Sequence, residues 1–437
     1  MKTNLKKLFG VLLITFILMC AMAVSASALA ESGQCGDNVY WIFNNNTGEL
    51  IISGEGPMWN YTSADAYYRS LSPFYYNSEI KTLDIKEGIT TIGDYIFYNI
   101  DTLEDYTIPD SITTIGAGAF GDCDGITNIT IPNTISTIGK EAFIHCSNIT
   151  SINIPESVTA IGEEAFYRCR YLTSATIPNA SIGELAFGEC WALKNIYIGN
   201  GVTEIDDLAF YECTALTSIF IPDNVRNIGN CAFWKCSNIE TATIEGGYIE
   251  ANAFENCEKL KTLTLGNSIS GIGTYAFLEC TKLTNVTMGS GAILDYAFYG
   301  CLNLKNIILK SGKIYDYAFY NCPNLKNITI GTGVTKIEEY AFYNTPVKTI
   351  HYLGAKENFN IIGNTFENIA KHYDCSYEEE IEATCTENAY RDGVFCTTCG
   401  WVCRELVEIA KGHSFINYIS DNNATCTKKW YNDCQMQ

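Results

Sequence analysis

The sequence predicts a β-rich repeat solenoid, closed at its amino end by a β-hairpin cap and followed by a small Cys-rich β module. Three observations carry this. A phenylalanine returns thirteen times, from Phe97 to Phe366, at steps of 23 or 21 residues and one of 24. Around it the same residues return, as in "IPESVTAIGEEAFYRC", Ile154 to Cys169, where Ile-Gly precedes Ala-Phe and a cysteine follows three residues after the phenylalanine. Between anchors the apolar residues alternate. A unit this short cannot cover its own apolar face, so it must stack on its neighbours.

At the amino end, Lys2, Lys6 and Lys7 precede an apolar run from Leu8 to Val24, and Ala28-Leu29-Ala30 offers small residues to a signal peptidase. Residues 1–30 are therefore expected to be a signal peptide, cleaved after Ala30. A membrane anchor is the rival reading, but the run is short for a span. Met19 is too large for a typical lipoprotein signal at Cys20.

Residues 31–78 read as the cap. Within "CGDNVYWIFNNNTGELIISGEGPM", Cys35 to Met58, two alternating strands flank Asn44-Asn45-Asn46-Thr47-Gly48, a turn suited to a hairpin.

Residues 79–370 hold about thirteen coils. Ile149, Ile152 and Ile154 follow an L-x-x-I-x-I pattern, then come a turn, Val158 and Ile161. That is the apolar skeleton of a leucine-rich repeat. Alternation puts Ile152 and Ile154 inward and Asn153 outward. Pro155 stops the strand, Gly162 lets the backbone turn, and stacking yields one parallel sheet. The 21-residue coils lose two residues in the turn, as "TIPNASIGELAF" against "TIPNTISTIGKEAF", which preserves side-chain parity.

Ala and Phe fill the side of the coil away from the strand. The cysteine stands at ten coils from Cys123 to Cys322, and the flanking coils hold Ile100, Thr345 and Ile369 there. A position that takes Ile as readily as Cys is a packing position, where free Cys acts as a small buried hydrophobe. Disulfides between coils are the rival reading, because exported chains often pair cysteines. On the packing reading, Cys213→Ser buries an unmatched hydroxyl and costs more than Cys213→Ala.

The consensus "IPxxVxxIGxxAFxxCxxLxxIxI" resembles the BspA-type leucine-rich repeats of bacterial surface proteins, over about residues 33 to 370. The Cys35–Met58 segment is similar to one that precedes such arrays. The resemblance implies an adhesin or binding module. Independently of it, the outward strand position reads mostly threonine, which suits an exposed strand and needs no ligand. Tyr197 and Phe220 depart from this on adjacent coils, and Lys194 stands beside them. These three are the candidate binding residues, with cross-strand packing of the aromatics as the alternative.

Beyond Ile369 a second repeat begins. His372, Cys385, Cys396 and Cys399 form H-x12-C-x10-C-x2-C, and His413 with Cys426 starts the pattern again. Residues 371–412 read as a Cys-rich module and 413–437 as an incomplete second copy, too small to fold without a clamp. Structural zinc on His372, Cys385, Cys396 and Cys399 is one clamp. Disulfides among Cys375, Cys385, Cys396, Cys399 and Cys403 are the other. The segment is also similar to cysteine-knuckle modules that follow such arrays in gut bacterial surface proteins.

Charge narrows the function. The formal net charge is −21, and loss of Lys2, Lys6 and Lys7 makes the mature chain more acidic still, which disfavours nucleic acid and anionic membrane as partners. The four histidines lie in no nucleophile motif and no phosphate-binding glycine loop occurs, so no enzyme is expected. The expected protein is secreted or cell-surface, adhesin-like, and not inserted in the membrane once its signal is cleaved. It presents a concave sheet, roughly 60 Å long at about 4.8 Å per strand, to a host or microbial surface protein. A structural spacer for the carboxy-terminal module, or a glycan-binding module, is the alternative.

Overall fold

A computed structural model describes residues 30–62 and 71–354, together with the backbone of the strands Ala370–His372, Ser376–Glu378, Tyr390–Phe395 and Val402–Leu406. The expected signal peptide, the thirteenth anchor Phe366 and Ile369 lie outside the described residues. Twelve anchors, Phe97 to Phe342, lie within them. They form a β-solenoid of stacked coils, and no helix occurs among the described residues.

The phenylalanines make one column through the core. From Phe97 to Phe342 neighbouring ring centroids are 4.9 to 5.5 Å apart and the planes nearly parallel. Aromatic stacking adds about 0.5–1.5 kcal/mol per pair to the burial of the rings. The column runs one step below the first anchor, because Phe74 stacks on Phe97 at 5.8 Å and meets Trp41 of the cap edge-on at 5.3 Å.

The strands after each leucine pair in parallel, as in Ser151–Asn153, Ser174–Ile177 and Asn195–Ile198. A second, shorter parallel ladder accompanies the expected sheet. It runs through the residues before each Gly, including Thr114–Ile115, Thr137–Ile138, Ala160–Ile161 and Ser181–Ile182. The cap hairpin forms as expected: Val39–Asn44 pairs antiparallel with Glu49–Gly54. An additional strand, Ala30–Gly36, flanks it. On the other side, Glu49–Gly54 pairs in parallel with Thr82–Ile85, so the cap covers the edge of the first coil.

The two-residue difference between coils falls in the turn between the ladders, as expected, and is divided into two steps. Along Thr241–Ile249 and its neighbour Thr262–Ile272, the register shifts between Ile244 and Gly246 and again between Gly247 and Tyr248. Each shift is a single residue. The same double shift brackets Ser311 and Gly312 opposite Gly333 and Val334. Parity flips and then flips back, so both apolar sets still face the core. Gly312 is required there: its φ is +115°, and a Cβ would lie 1.8 Å from the carbonyl oxygen of Gly291.

The Ala-Phe turn owes its shape to left-handed residues that are not glycine. In one coil Glu141 and His145 have φ of 57° and 59°. The N–H groups of Glu141, Phe143 and His145 each donate at 2.8 Å to Glu163, Ala165 and Tyr167 of the next coil. Left-handed backbone costs roughly 1–2 kcal/mol per residue outside glycine. Here it aims three N–H groups at the neighbouring coil, where each finds a carbonyl.

The cysteine also has a bond to make. All ten thiols are buried and unpaired, and each Sγ donates to the carbonyl of the phenylalanine on the preceding coil, as Cys146 to Phe120 at 2.9 Å and Cys213 to Phe187 at 3.2 Å. Burial pushes the Cys123 and Cys236 thiols up to about 12. The site is therefore a small apolar one with an acceptor in reach, which overturns the expected ranking of Cys213 replacements. Cys213→Ser keeps a donor for Phe187, whereas Cys213→Ala forfeits the thiol's bond, which is weaker than an ordinary hydrogen bond of about 0.5–1.5 kcal/mol. Chemical denaturation should show Ala to be at least as costly as Ser. In the folded protein the ten thiols should resist alkylation at pH 8.

Candidate functional site

The outward positions of the strand face are where a partner can be met without disturbing the core. Tyr197 sits on Asn195–Ile198, in register with Thr176. Phe220 sits on Ser218–Ile221, in register with Thr243. Both project: Tyr197 is 41% and Phe220 44% exposed. Lys194, just before the first of these strands, is exposed as well.

Three further exposed residues stand on this stretch of the solenoid, between the cysteine and the strand, where the outward-position rule does not reach. Tyr171 and Trp191 follow the cysteines of their coils and are 62% and 42% exposed. The Arg170 guanidinium lies over the Trp191 ring at 4.7 Å. The backbone bonds from Ala192 to Arg170 and from Lys194 to Thr173 set these coils side by side. Residues 170–220 therefore present four exposed aromatics and two cations. The signal was present in the sequence, one and two residues after Cys169 and Cys190.

The face is not open along its whole length. Ile308, Thr329 and His351 hold outward positions of the late coils and are nevertheless buried. The accessible part runs from the early coils to about Thr287.

Two other clusters have structural roles. Tyr275, Tyr296, Tyr317 and Tyr340 stack at 5.0 to 5.3 Å beside the Ala-Phe turns, with Tyr299, Tyr320 and Tyr343 as a second row. Successive rings stack on one another, so the rows cement coils, with Tyr340 and Tyr343 at the late end left exposed. Near the amino end, Tyr95 donates to Glu141 at 2.9 Å and Asp122 meets His145 at 2.9 Å. Burial works against the charge of Asp122, but hydrogen bonds from His145 and Tyr98 outweigh it and hold the carboxyl below its ordinary range. The nearby Ser147 hydroxyl donates to the His145 carbonyl, away from the ring, so the three do not compose a nucleophile relay.

In the carboxy-terminal segment, the backbone of His372 belongs to Ala370–His372, which pairs in parallel with Thr349–Tyr352 and places His372 beside His351. Ser376–Glu378, Tyr390–Phe395 and Val402–Leu406 form a three-stranded antiparallel sheet. Cys385, Cys396 and Cys399 lie outside the described residues, as does the His413 copy. Among the described residues, no group of three or more His, Cys, Asp or Glu could hold a metal ion, and no helix is long and apolar enough to cross a membrane.

A parallel β-solenoid with a phenylalanine column and a thiol column defines a leucine-rich repeat protein. The pattern of the BspA type leucine rich repeat region matches residues 71–181, 180–292 and 247–372, and the chain belongs to that family. No curated protein matches it. Among solved structures, a leucine-rich repeat protein from Bacteroides ovatus is 25% identical, with 72% of this chain and 98% of that chain covered and a TM-score of 0.40. A leucine-rich repeat protein from Eubacterium ventriosum is 22% identical, with 77% and 99% covered and a TM-score of 0.39. A leucine rich cell surface protein from Faecalibacterium prausnitzii is 27% identical, with 78% and 98% covered and a TM-score of 0.35.

Two outcomes follow from these clusters. Because the Asp122 carboxyl is depressed in the folded protein, its contribution to stability is full above the ordinary carboxylate range, near pH 4, and is lost as pH falls through the lowered value. Asp122→Asn should be less stable at pH 7 and should show a shallower acid limb in pH-dependent unfolding. For the tail, if zinc is the clamp, metal analysis of the freshly purified chain should give about one zinc, and chelation should free the thiols of Cys385, Cys396 and Cys399 while leaving the solenoid transition unchanged. A metal-free tail without free thiols would decide for disulfides.

Proposed function

We propose that the protein is secreted or cell-surface and holds a protein of a host or a neighbouring microbe on the strand face around Tyr197 and Phe220. The observation that carries this is the pair of exposed aromatics, Tyr197 and Phe220, at outward strand positions held mostly by threonine elsewhere, with exposed Tyr171, Trp191, Arg170 and Lys194 on the same stretch of coils. Binding energy in protein interfaces concentrates in Trp, Tyr and Arg at the centre of a patch, and neighbouring contacts exclude water around them. Threonine would suit the same strand positions and keep the face solvated. Membership of a leucine-rich repeat family supports the reading, because a solenoid's outward positions can vary without touching its core.

The full mature chain serves as bait against host matrix and co-resident cells, and each captured protein is then titrated against bait and variant. Tyr197→Thr with Phe220→Thr should leave the melting curve unchanged and remove more than about 2 kcal/mol of binding, the mark of a hot spot. Trp191→Ala should weaken the same partner. Equal affinity in the double variant would make the aromatics strand-surface packing and favour the structural spacer.

A further inference from the structure

We propose that the late coils carry a second binding surface, for an acidic polysaccharide, built on a column of lysines. Charge is divided unevenly along the solenoid: residues 71–258 hold 26 acidic and 8 basic side chains, residues 259–354 hold 5 acidic and 9 basic. Within the second stretch, Lys305, Lys326 and Lys348 take the same place on three successive coils. Each immediately precedes a member of the register Asn306↔Asn327↔Thr349. The Lys326 N–H donates to the Lys305 carbonyl at 3.4 Å and the Lys348 N–H to the Lys326 carbonyl at 2.9 Å. All three side chains are exposed. Among the described residues none of the three has an acidic partner at ion-pair distance.

The same coils repeat the arrangement on their second ladder, where Lys313 stands directly opposite Lys336. Lys336 pairs with Glu338 at 2.5 Å, and among the described residues no ion pair is formed by Lys313. Like charges opposite one another weaken a sheet, and lysine is a poor strand residue. The preceding rung shows the cheaper alternative, since Thr284 occupies the place that Lys305 takes next. A row of cations kept at this disadvantage has an outlet if an anionic chain lies along it.

The pitch of the row selects the class of chain. One cation per rung is one charge per about 4.8 Å, whereas duplex DNA carries a charge per roughly 1.7 Å of its axis. The column is too sparse for the duplex, and the acidic body of the solenoid repels so dense a polyanion. A polysaccharide with one carboxylate or sulfate every sugar or two is the closer match. This surface lies coils away from Tyr197 and Phe220 and does not depend on them.

The test titrates the full mature chain with hyaluronate, with polygalacturonate, with neutral dextran and with single-stranded DNA at low salt. Binding is expected to hyaluronate, polygalacturonate or both, falling steeply as salt rises. Lys305→Thr with Lys326→Thr and Lys348→Thr should weaken it at least about tenfold, lower its salt dependence and leave the melting curve in place. The triple Lys→Arg variant, which keeps the charge, should retain binding and guards against a Thr variant that misfolds. Tyr197→Thr with Phe220→Thr should change nothing here, which separates this surface from the protein-binding one. No binding to either acidic polysaccharide, equal affinity in the Thr variant, or tighter binding to DNA would overturn the proposal.

Discussion

The phenylalanine column fixes the pitch that every other part of the molecule must obey. Rings stacked at 4.9 to 5.5 Å lie close to the spacing of parallel strands, about 4.8 Å. Because the two spacings agree, strand hydrogen bonds and ring contacts can both be satisfied by the same translation. Whatever lies between strand and ring must close the coil without adding height. The left-handed residues flanking Ala-Phe do this by pointing N–H groups along the axis, so the turn becomes a third line of inter-coil bonds. The thiol completes the arrangement, since the phenylalanine carbonyl has capacity left after its turn bond and the cysteine of the next coil fills it.

A structure so constrained in pitch tolerates length changes only where backbone can slip. The two shifts around Gly246 and Gly247, and the two around Ser311 and Gly312, lie between the ladders and ahead of the phenylalanine turn. Splitting two residues into two single bulges bends the strand twice by a little. A single larger gap would leave several N–H groups without partners at once.

Much of this was legible in the sequence, and what was missed has identifiable causes. The period, the inward isoleucines, the buried unpaired cysteines and the hairpin at Asn44 to Gly48 all follow from apolar spacing or from turn residues with a strong preference. The second ladder did not, because Ala160–Ile161 and its equivalents are two residues long and two residues show no alternation. The left-handed turn positions were hidden because Glu, Leu, Arg and Tyr occupy them in place of glycine. Local preference is overridden there by bonds to a coil some 22 residues away. In the site, Tyr197, Phe220 and Lys194 were found because the strand rule says which positions face out. Arg170, Tyr171 and Trp191 sit between turn and strand, where no periodicity assigns a face. The burial of Ile308, Thr329 and His351 was beyond any repeat rule, since their strand positions match those of exposed threonines on earlier coils.

A repeat protein of this kind separates what holds it together from what distinguishes it. Inward positions are nearly identical from coil to coil, since each must match the one above and below, and a unique residue there would be a defect. Outward positions answer only to solvent and strand preference, and threonine satisfies both at low cost. Departures from threonine therefore carry more information than anything in the core. Two groups of them run over consecutive coils in this chain: aromatic with cation on the coils of Tyr171 to Phe220, and lysine alone on the coils of Lys305 to Lys348. Each group spans neighbouring coils at the same or adjoining positions, which is how a rigid lattice assembles a surface larger than one repeat. Drift at single coils would scatter such residues, whereas a contact surface requires them to be consecutive.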